Sequence, residues 1–534
     1  MKPFFLALFL AAGFCSGGAQ NLVAEKTLVL AVGNEGRGNF NPLQSYSAAD
    51  AQIFSALYEG LVSYHPVSLE PVPGAAGRWE ISPDGRIYRF FIREEARYWN
   101  GDPVQAQDFR DTWLILLNPQ EEAPYSFLLD IIRGARAYRT GAVSSPDGVG
   151  IRVVDPLVLE VELESPADYF LKILCHHSFA PLHPSLRSRY RRDQPLPGLG
   201  NGSFYFYRGE SGGYLLRRNE AYWDAGRVGL NQIRVVYETD PVESALRFNR
   251  GEIHWALGNV SVEDVENRQS LIVNPIFATS YYFFSEKTPP FNDPRLTRAL
   301  ALLLPWEEIR SPERYYLPTE RLIPPLQDYP GQPGIAAPNR PEALELLNQA
   351  GFPGGEGLPP LVFRLPQGAE EAPEVGLMKA AWEEELGALV RLDMVPWEEY
   401  YDSLKTQGWT LAQISWIGDF ADPLTFLQMW ESGSFLNDSG YANPEFDELL
   451  AQASRQEGTE RLKTLARSEG LLLQSGAVLP VNHQPAFNVL DLSLISGWYP
   501  NPMDIHPFKY LSFSLPQLPP NIAFLPGEPS NRPE

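Results

Sequence analysis

Residues 410–426 combine a predicted strand, a short acidic loop and the start of a helix, and this unit constrains the fold more than any other segment. Residues 410–416 alternate apolar and polar side chains, which is typical of a half-buried strand. Asp422 and the proline after it predict an N-cap and a first helical residue. Asp422 thereby has a structural role, whereas Asp419 has none. Because open α/β sheets bind ligands beyond the carboxyl ends of their strands, we expect Asp419 to bind a ligand, and a cation such as an amino terminus suits a carboxylate.

Predicted strands and helices alternate along the rest of the chain. Strand patterns occur at residues 27–32, 87–92, 157–163, 281–285 and 389–395, and helical spacing occurs at 48–61, 294–304, 342–350, 378–389 and 397–406. Asp240 and Pro241 open a further helix as its N-cap and first helical residue. The sequence therefore predicts an α/β fold.

The chain is long and acidic. Its 534 residues predict more than one domain. The formal net charge of −23 argues against binding to nucleic acid or to anionic membrane surfaces, because either partner would require a basic patch. The 12 tryptophans and 49 prolines fit a cleft that is lined by aromatic side chains and built from irregular loops.

The first residues have the features of a secretory signal: Lys2, an apolar run at residues 4–12 and small residues before Gln20. Cleavage after Ala19 would remove this segment; alternatively, Cys15 becomes the lipidated first residue of the mature chain. No later apolar segment is long enough to span a bilayer. We therefore expect a periplasmic or cell-surface protein that contacts the membrane only if Cys15 carries a lipid.

Sequence patterns that match catalytic or nucleotide-binding motifs lack the neighbouring strands, helices or spacing that those functions require. Ser211 lies in a G-x-S-x-G pattern, but strand patterns flank it on both sides, which predicts a β-hairpin and not a nucleophile elbow. The glycines of residues 33–38 lack the spacing of either nucleotide fingerprint. Once Cys15 is removed or acylated, Cys175 has no cysteine with which to form a disulfide.

Histidine and acidic clusters also lack the required pattern. His176 and His177 are adjacent, so on an extended chain they point in opposite directions, and no H-x-x-H or C-x-x-C pair is present. Asp422 is predicted to cap a helix and Asp438 to lie in a turn, which argues against a pair of catalytic carboxylates. We therefore predict no metal, no cofactor and no enzymatic activity.

Several motifs resemble those of one known family and occur in the same order. Residues 98–109, YWNGDPVQAQDF, fit the pattern W-x-N-G-x-P-x-x-A-x-D-F. The further motifs are NGSF at 201–204, NEAYWD at 219–224, a D-x-R-x-x-x-A-L helix at 293–300, GDFADP at 418–423 and YANPEFD at 441–447. Over residues 25–513 the chain resembles the bacterial extracellular solute-binding protein family 5, the oligopeptide- and dipeptide-binding receptors of ABC importers.

The resemblance implies a two-lobed, periplasmic-binding-protein-like (type II) α/β fold with a hinge and an extra inserted domain. Domain I would comprise residues 20–63, 179–276 and 488–514, the inserted domain II residues 64–178, and domain III residues 277–487. Residues 1–19 are the expected signal peptide, and residues 515–534 the expected proline-rich tail. The segment after Leu304 departs from the family pattern, so no arginine or lysine is assigned to the carboxylate of a peptide.

By the same likeness, Asp419 pairs with the free amino group of a peptide, and the strand before it provides main-chain hydrogen bonds. Glu35 would lie in the facing wall of domain I. The predicted ligand-binding residues are Asp419, Trp416, Ser415, Ile417, Gly418, Glu35 and Trp397. The implied partners are a peptide and the permease subunits of an ABC transporter, and we expect the receptor itself to be a monomer.

The sequence is also consistent with other functions. The same scaffold also suits a non-peptide solute, such as an oligosaccharide or a metal chelate, since Trp99, Trp397, Trp409 and Trp416 permit stacking on sugars. An extracellular hydrolase is a third hypothesis, although no nucleophile and base occur in a suitable context. A sensory role without transport is also consistent with the sequence.

Overall fold

The computed structural model describes residues 25–33, 40–44, 48–191, 194, 196, 198–311, 315–326, 328–434 and 436–514. The expected signal peptide, Cys15, Glu35 and the tail lie outside the described residues. Within the described part of the chain, no helix combines the length and the apolar composition that crossing a membrane requires.

Strands and helices alternate in the described chain, as the sequence predicts. The strands are β1 (Thr27–Val32), β2 (Val62–Tyr64), β3 (Pro71–Pro73), β4 (Ala76–Ile81), β5 (Ile87–Ile92), β6 (Ile151–Asp155), β7 (Val158–Glu162), β8 (Phe204–Glu210), β9 (Gly213–Arg218), β10 (Gln232–Tyr237), β11 (Trp255–Leu257), β12 (Leu271–Phe284), β13 (Leu317–Pro318), β14 (Leu361–Pro366), β15 (Val390–Val395), β16 (Leu411–Ile417), β17 (Val478–Leu490), β18 (Ile495–Ser496) and β19 (Ser512–Phe513). The α-helices are α1 (Ala48–Leu57), α2 (Ala106–Leu116), α3 (Ala135–Arg139), α4 (Phe170–Leu174), α5 (Pro184–Arg187), α6 (Pro241–Asn249), α7 (Pro294–Leu302), α8 (Trp306–Ile309), α9 (Arg340–Gln349), α10 (Pro373–Leu386), α11 (Trp397–Leu404), α12 (Leu424–Leu427), α13 (Pro444–Ala453) and α14 (Gly458–Gln474).

One large sheet runs through the protein in the order β15-β14-β16-β12-β17-β11-β1-β10-β9-β8, with β13 paired to β17. Its two long central strands, β12 and β17, join two lobes. Residues 271–275 of β12 pair with residues 485–489 of β17 beside β11, whereas residues 279–283 pair with 478–483 beside β16. The register shifts between these two stretches. We call the part built on β1 to β11 the first lobe and the part built on β13 to β16 the second lobe.

A separate antiparallel sheet, β4-β5-β7-β6, is inserted in sequence between α1 and β8. It packs with α2, whose Phe109, Trp113 and Leu116 side chains are buried. These side chains belong to the same apolar core as β1 and β10, so the inserted sheet is part of the first lobe. The insertion lies within residues 64–178, the segment that the sequence assigns to domain II.

The sequence locates most elements correctly but not all of their ends. The helix predicted at 378–389 is α10, which begins at Pro373 and ends at Leu386 because Gly387 adopts a left-handed conformation with φ of 61°. The helices predicted at 48–61, 294–304 and 397–406 each end before the predicted residue. The hairpin predicted around Ser211 is formed by β8 and β9.

Candidate functional site

The second half of β16 presents a free edge. β16 pairs with β12 over its length, whereas β14 pairs with it only at Leu411 and Ala412. Next along the strand, the Gln413 N–H donates to the Tyr400 hydroxyl (3.1 Å) and that hydroxyl donates to the Gln413 carbonyl (2.6 Å). The Gln413 main-chain groups therefore face away from β12.

In an antiparallel strand, the main-chain N–H and C=O groups of successive residues face the two neighbouring sides in turn. Ser415 and Ile417 therefore face the same side as Gln413, and their N–H and C=O groups point to the open edge. The Trp416 main-chain groups face β12 instead. Within the described chain no strand pairs with Ser415 and Ile417 on that side, and Ile417 is 43% exposed. An extended ligand can add to this edge.

The side chains of β16 hold the edge in position. The Ser415 hydroxyl lies 2.8 Å from the Ser280 hydroxyl, and the Gln484 amide donates to both. This network ties β16 to the adjacent strand β12 and to β17 on the far side of β12. On the opposite face of the strand, the Trp416 indole N–H donates to the Thr425 carbonyl (3.1 Å) and attaches β16 to α12.

Among the predicted site residues that the structure describes, Trp397 is the most exposed. Its ring is 56% exposed at the first position of α11. The ring centroid lies 6.1 Å from that of Tyr400, the residue that bonds to the edge of β16. The indole is therefore carried by the helix beside the free edge and presents an apolar face there.

Gly418 turns the chain at the end of β16. Its N–H donates to the Phe277 carbonyl (2.8 Å), so it still pairs toward β12. A Cβ atom at this position would lie 2.4 Å from the Phe277 ring and 2.9 Å from a Thr425 methyl group. Only glycine fits this close approach, which places the next residue, Asp419, over the start of α12.

Asp419 is a buried carboxylate. It is 8% exposed, its N–H donates to the Thr425 hydroxyl (2.9 Å), and that hydroxyl donates weakly to Asp419 Oδ2 (3.4 Å). Burial raises the pKa of Asp419 to about 7, although the Thr425 hydrogen bond acts in the opposite direction. Among the described residues no lysine, arginine or histidine nitrogen lies within 4.0 Å of it. A cation would satisfy this group.

Asp422 is also buried but is fully paired. It accepts from the Leu424 N–H (3.0 Å), but the N-cap position is taken by Pro423, so the predicted N-cap role of Asp422 is wrong by one position. α12 begins at Leu424, so the prediction that Pro423 is the first helical residue is wrong by one position. The Arg461 guanidinium donates two hydrogen bonds to Asp422, of 2.7 and 2.9 Å. Arg461 lies 39 residues away on α14, and no local pattern in the sequence indicates this partner.

The loop that carries Asp419 contacts the first lobe. Phe420 stacks on Tyr169 with ring centroids 6.0 Å apart and planes 13° apart. Lys172 Nζ donates to the Ala421 carbonyl (3.4 Å). Burial raises the pKa of Tyr64 of the first lobe, and the Asp419 carboxylate adds to this shift. Asp419 therefore lies at the junction of the two lobes and not on the outer surface.

The histidines near Cys175 border a small cavity of the first lobe. Cys175, His176 and His177 line it together with Tyr64 and the buried ion pair of Glu59 and Lys509 (3.0 Å). Burial lowers the pKa of His176 well below its usual value, so the imidazole is neutral. No group of three or more metal-ligating side chains occurs in the part of the chain that the structure describes.

A free strand edge and a buried carboxylate at the junction of two lobes define a protein that encloses a ligand between its lobes. Comparison with known proteins identifies the family. Residues 70–438 match the model of the bacterial extracellular solute-binding proteins, family 5 (middle region). The chain belongs to this family, which is a family of extracytoplasmic binding proteins and not of enzymes.

Similar proteins match nearly the full chain. The oligopeptide-binding protein OppA of Bacillus subtilis is 29% identical over 464 residues, covering 83% of this chain and 85% of OppA. The periplasmic oligopeptide-binding protein OppA of Salmonella typhimurium is 28% identical over 500 residues, covering 89% of this chain and 90% of that protein. The structure of Haemophilus influenzae OppA in complex with RPPGFSPFR has a TM-score of 0.78 at 23% identity, covers 92% of this chain and 99% of that chain, and shows the same fold.

Proposed function

We propose that this protein captures peptides outside the cytoplasm and delivers them to the permease of an ABC importer. One observation carries the proposal: Asp419 is buried at the junction of the lobes without a cationic partner among the described residues, directly beside the open edge of β16. A peptide supplies both complements, an ammonium group for the carboxylate and a main chain for the edge. The oligopeptide-binding relatives named above support this choice.

Each predicted residue then has a distinct contribution. Ser415 and Ile417 pair with the peptide main chain, and Asp419 accepts hydrogen bonds from its amino group. Trp416 and Gly418 hold these groups in place, since the indole and the close approach to Phe277 fix the loop. Trp397 packs against the side of the ligand with its exposed ring. Glu35 is proposed, from the family resemblance alone, for the facing wall.

All peptides have the same main chain, which explains how one site accepts many of them. Main-chain hydrogen bonds give affinity without selecting side chains. A charge-assisted hydrogen bond from the ammonium to Asp419 contributes about 1.5–3 kcal/mol.

The Tyr64 hydroxyl is buried near Asp419 and has no hydrogen-bond partner within the described chain, so it is available to a ligand.

The remaining features of the proposal follow from the resemblance. We propose cleavage of a signal after Ala19, or lipidation at Cys15, and a monomeric receptor whose three domains have the boundaries given above. We further propose that the protein performs no catalysis. Recovery of intact peptide after prolonged incubation with the purified protein is the expected result, and cleavage of the peptide would favour a hydrolase.

Isothermal titration calorimetry with tri-alanine tests the role of Asp419. Asp419→Asn is expected to weaken binding roughly ten- to hundredfold, because the neutral amide loses the charge-assisted bond of about 1.5–3 kcal/mol. N-acetylated tri-alanine is expected to bind the wild type about as weakly, since it has no ammonium group. An unchanged dissociation constant for Asp419→Asn would exclude the amine-binding role.

Glu286→Gln is the matched control for this substitution. Glu286 is also a carboxyl of the second lobe whose pKa is raised to about 7 by burial. It follows the end of β12 that is opposite to Asp419, so its amide variant is expected to bind tri-alanine as the wild type does.

Mass spectrometry of the ligand released from protein purified without refolding separates peptides from oligosaccharides and metal chelates.

A further inference from the structure

The loop of Asp419 is held from two sides, by its own lobe and by the first lobe. In its own lobe, Arg461 of α14 is 3% exposed in its side chain and donates two hydrogen bonds to Asp422. Burial opposes the charged guanidinium, but the Asp422 carboxylate outweighs it, so the pKa of Arg461 lies above its usual range. Both partners of this pair belong to the second lobe.

A short segment of the first lobe, before and within α4, contacts the same loop and its Arg461 support. Asp168 Oδ1 lies 3.7 Å from Arg461 Nη1. The Tyr169 ring lies 4.5 Å from the Arg461 guanidinium carbon and stacks on Phe420. Lys172 Nζ reaches the Ala421 carbonyl. Three side chains within five residues of the inserted segment thus contact the Asp419 loop or the Arg461 side chain that supports it.

The two sets of contacts differ in strength. The Arg461–Asp422 pair is bidentate and buried, and such pairs are the strong ones. The Asp168 side chain is 44% exposed and its ion pair is long, so water and salt weaken it. The Lys172 hydrogen bond is also long, at 3.4 Å. The polar contacts between the lobes are therefore weak, and the buried Phe420 ring, which packs against Tyr169 in the first-lobe core, provides most of the attachment.

These contacts leave the Asp419 carboxylate itself untouched. Its hydrogen-bond partner in the structure is Thr425 of its own lobe. The contribution of the first-lobe segment is therefore to the relative position of the lobes and not to the recognition of an ammonium group. A contact that forms only in the closed arrangement stabilises that arrangement in proportion to its own free energy.

We propose that Asp168, Tyr169 and Lys172 form an interlobe latch that engages the Asp419 loop and its Arg461 support, and so sets how long a captured ligand is retained. The inference rests on the proposed role of Asp419 in binding. The latch residues are positioning residues: they act on the ligand through the closed arrangement of the lobes. The inserted domain thereby takes part in retention although its sheet lies apart from the ligand edge.

The test uses the full-length mature protein with tri-alanine and measures the dissociation rate by stopped-flow displacement. Tyr169→Leu is expected to raise the dissociation rate about tenfold, because it removes both the stack and the ring beneath the guanidinium. Asp168→Asn is expected to raise it about threefold, as its ion pair is half exposed. Tyr169→Phe keeps the ring and is expected to retain the wild-type rate. An unchanged rate in Tyr169→Leu would overturn the latch.

Asp224→Asn is the matched control for Asp168→Asn. Asp224 Oδ1 lies 3.6 Å from Arg227 Nε between β9 and β10 of the first lobe, so its loss breaks a similarly long, partly exposed ion pair within one lobe. The control is expected to dissociate at the wild-type rate. If Asp224→Asn accelerates dissociation as much as Asp168→Asn does, the effect is one of general stability and the latch is contradicted.

Two readouts separate the latch from the proposed function. The ratio of affinities for tri-alanine and N-acetylated tri-alanine is expected to stay at its wild-type value in the latch variants and to approach one in Asp419→Asn. Small-angle scattering of the ligand-free protein is expected to show a larger radius of gyration for Tyr169→Leu than for the wild type. A wild-type ratio near one would exclude the amine-binding role, while an unchanged radius of gyration in Tyr169→Leu would exclude the latch.

Discussion

Asp419 and Asp422 carry the same side chain on the same loop, yet they have different partners. Asp422 accepts from Arg461 and from the Leu424 N–H, so its charge is compensated within the second lobe. Asp419 accepts only a weak hydrogen bond from Thr425 among the described residues, and burial raises its pKa to about 7. The local environment, and not the residue type, separates a structural carboxylate from one that is available to a ligand.

The raised pKa of Asp419 predicts a pH dependence of peptide affinity. Below about pH 7 the ligand-free carboxyl is protonated, and an ammonium group binds only after that proton leaves. Affinity for tri-alanine is therefore expected to increase about tenfold per pH unit from pH 5 toward 7, and to fall again above about pH 8 as the peptide amine loses its proton. Calorimetry in buffers of increasing pH measures this profile. A flat profile between pH 5 and 7 would contradict the linkage.

Asp419→Asn provides the control for that profile. The amide does not titrate, so its residual affinity is expected to be constant from pH 5 to 7. If the variant keeps the pH dependence of the wild type, another group is responsible for the titration.

The course of the loop between β16 and α12 depends on Gly418, a position where no side chain fits. Gly418 brings the chain against Phe277 and Thr425, and this approach sets the direction of Asp419. Tyr400 of α11 bonds to the edge at Gln413 and marks where pairing with β14 gives way to the open stretch. The edge and the carboxylate are therefore placed by two neighbouring elements, a helix that borders the strand and a helix that follows it.

Gly418→Ala is expected to destabilise the protein by about 1–3 kcal/mol, because its methyl group would overlap the buried Phe277 ring. It should also weaken tri-alanine binding, since the loop must move. Urea denaturation and calorimetry measure the two effects. Gly376→Ala in α10 is the control: nothing lies within 4 Å of its added Cβ, and alanine there is expected to stabilise by about 0.5–1 kcal/mol. Equal stability of the two variants would contradict the close packing at Gly418.

On the scale of the entire chain, β12 and β17 belong to both lobes. Each strand contributes residues to the pairing beside β11 and to the pairing beside β16. The Asp419 loop reaches back to Tyr169 and Lys172 of the first lobe. A ligand at the edge of β16 is therefore expected to stabilise both lobes together.

Tri-alanine at a hundred times its dissociation constant is expected to add about 2.7 kcal/mol to the free energy of unfolding. Differential scanning calorimetry should show that every unfolding transition of the protein moves to higher temperature. The same concentration of N-acetylated tri-alanine is the control and is expected to cause a much smaller shift. A shift confined to one of two separate transitions would contradict a ligand placed between the lobes.

Local patterns in the sequence determined the strand β16, the acidic loop, the helix after it to within one residue, and the family, because strands, turns and motifs depend on residues a few positions apart. The partners that give the loop its properties come from distant positions. Arg461 lies 39 residues from Asp422, and Lys172 lies 249 residues from Ala421. Neither contact leaves a pattern in the sequence, since it depends on how β12 and β17 bring the lobes together. The burial of Asp419, and with it the raised pKa, is likewise a property of the assembled fold.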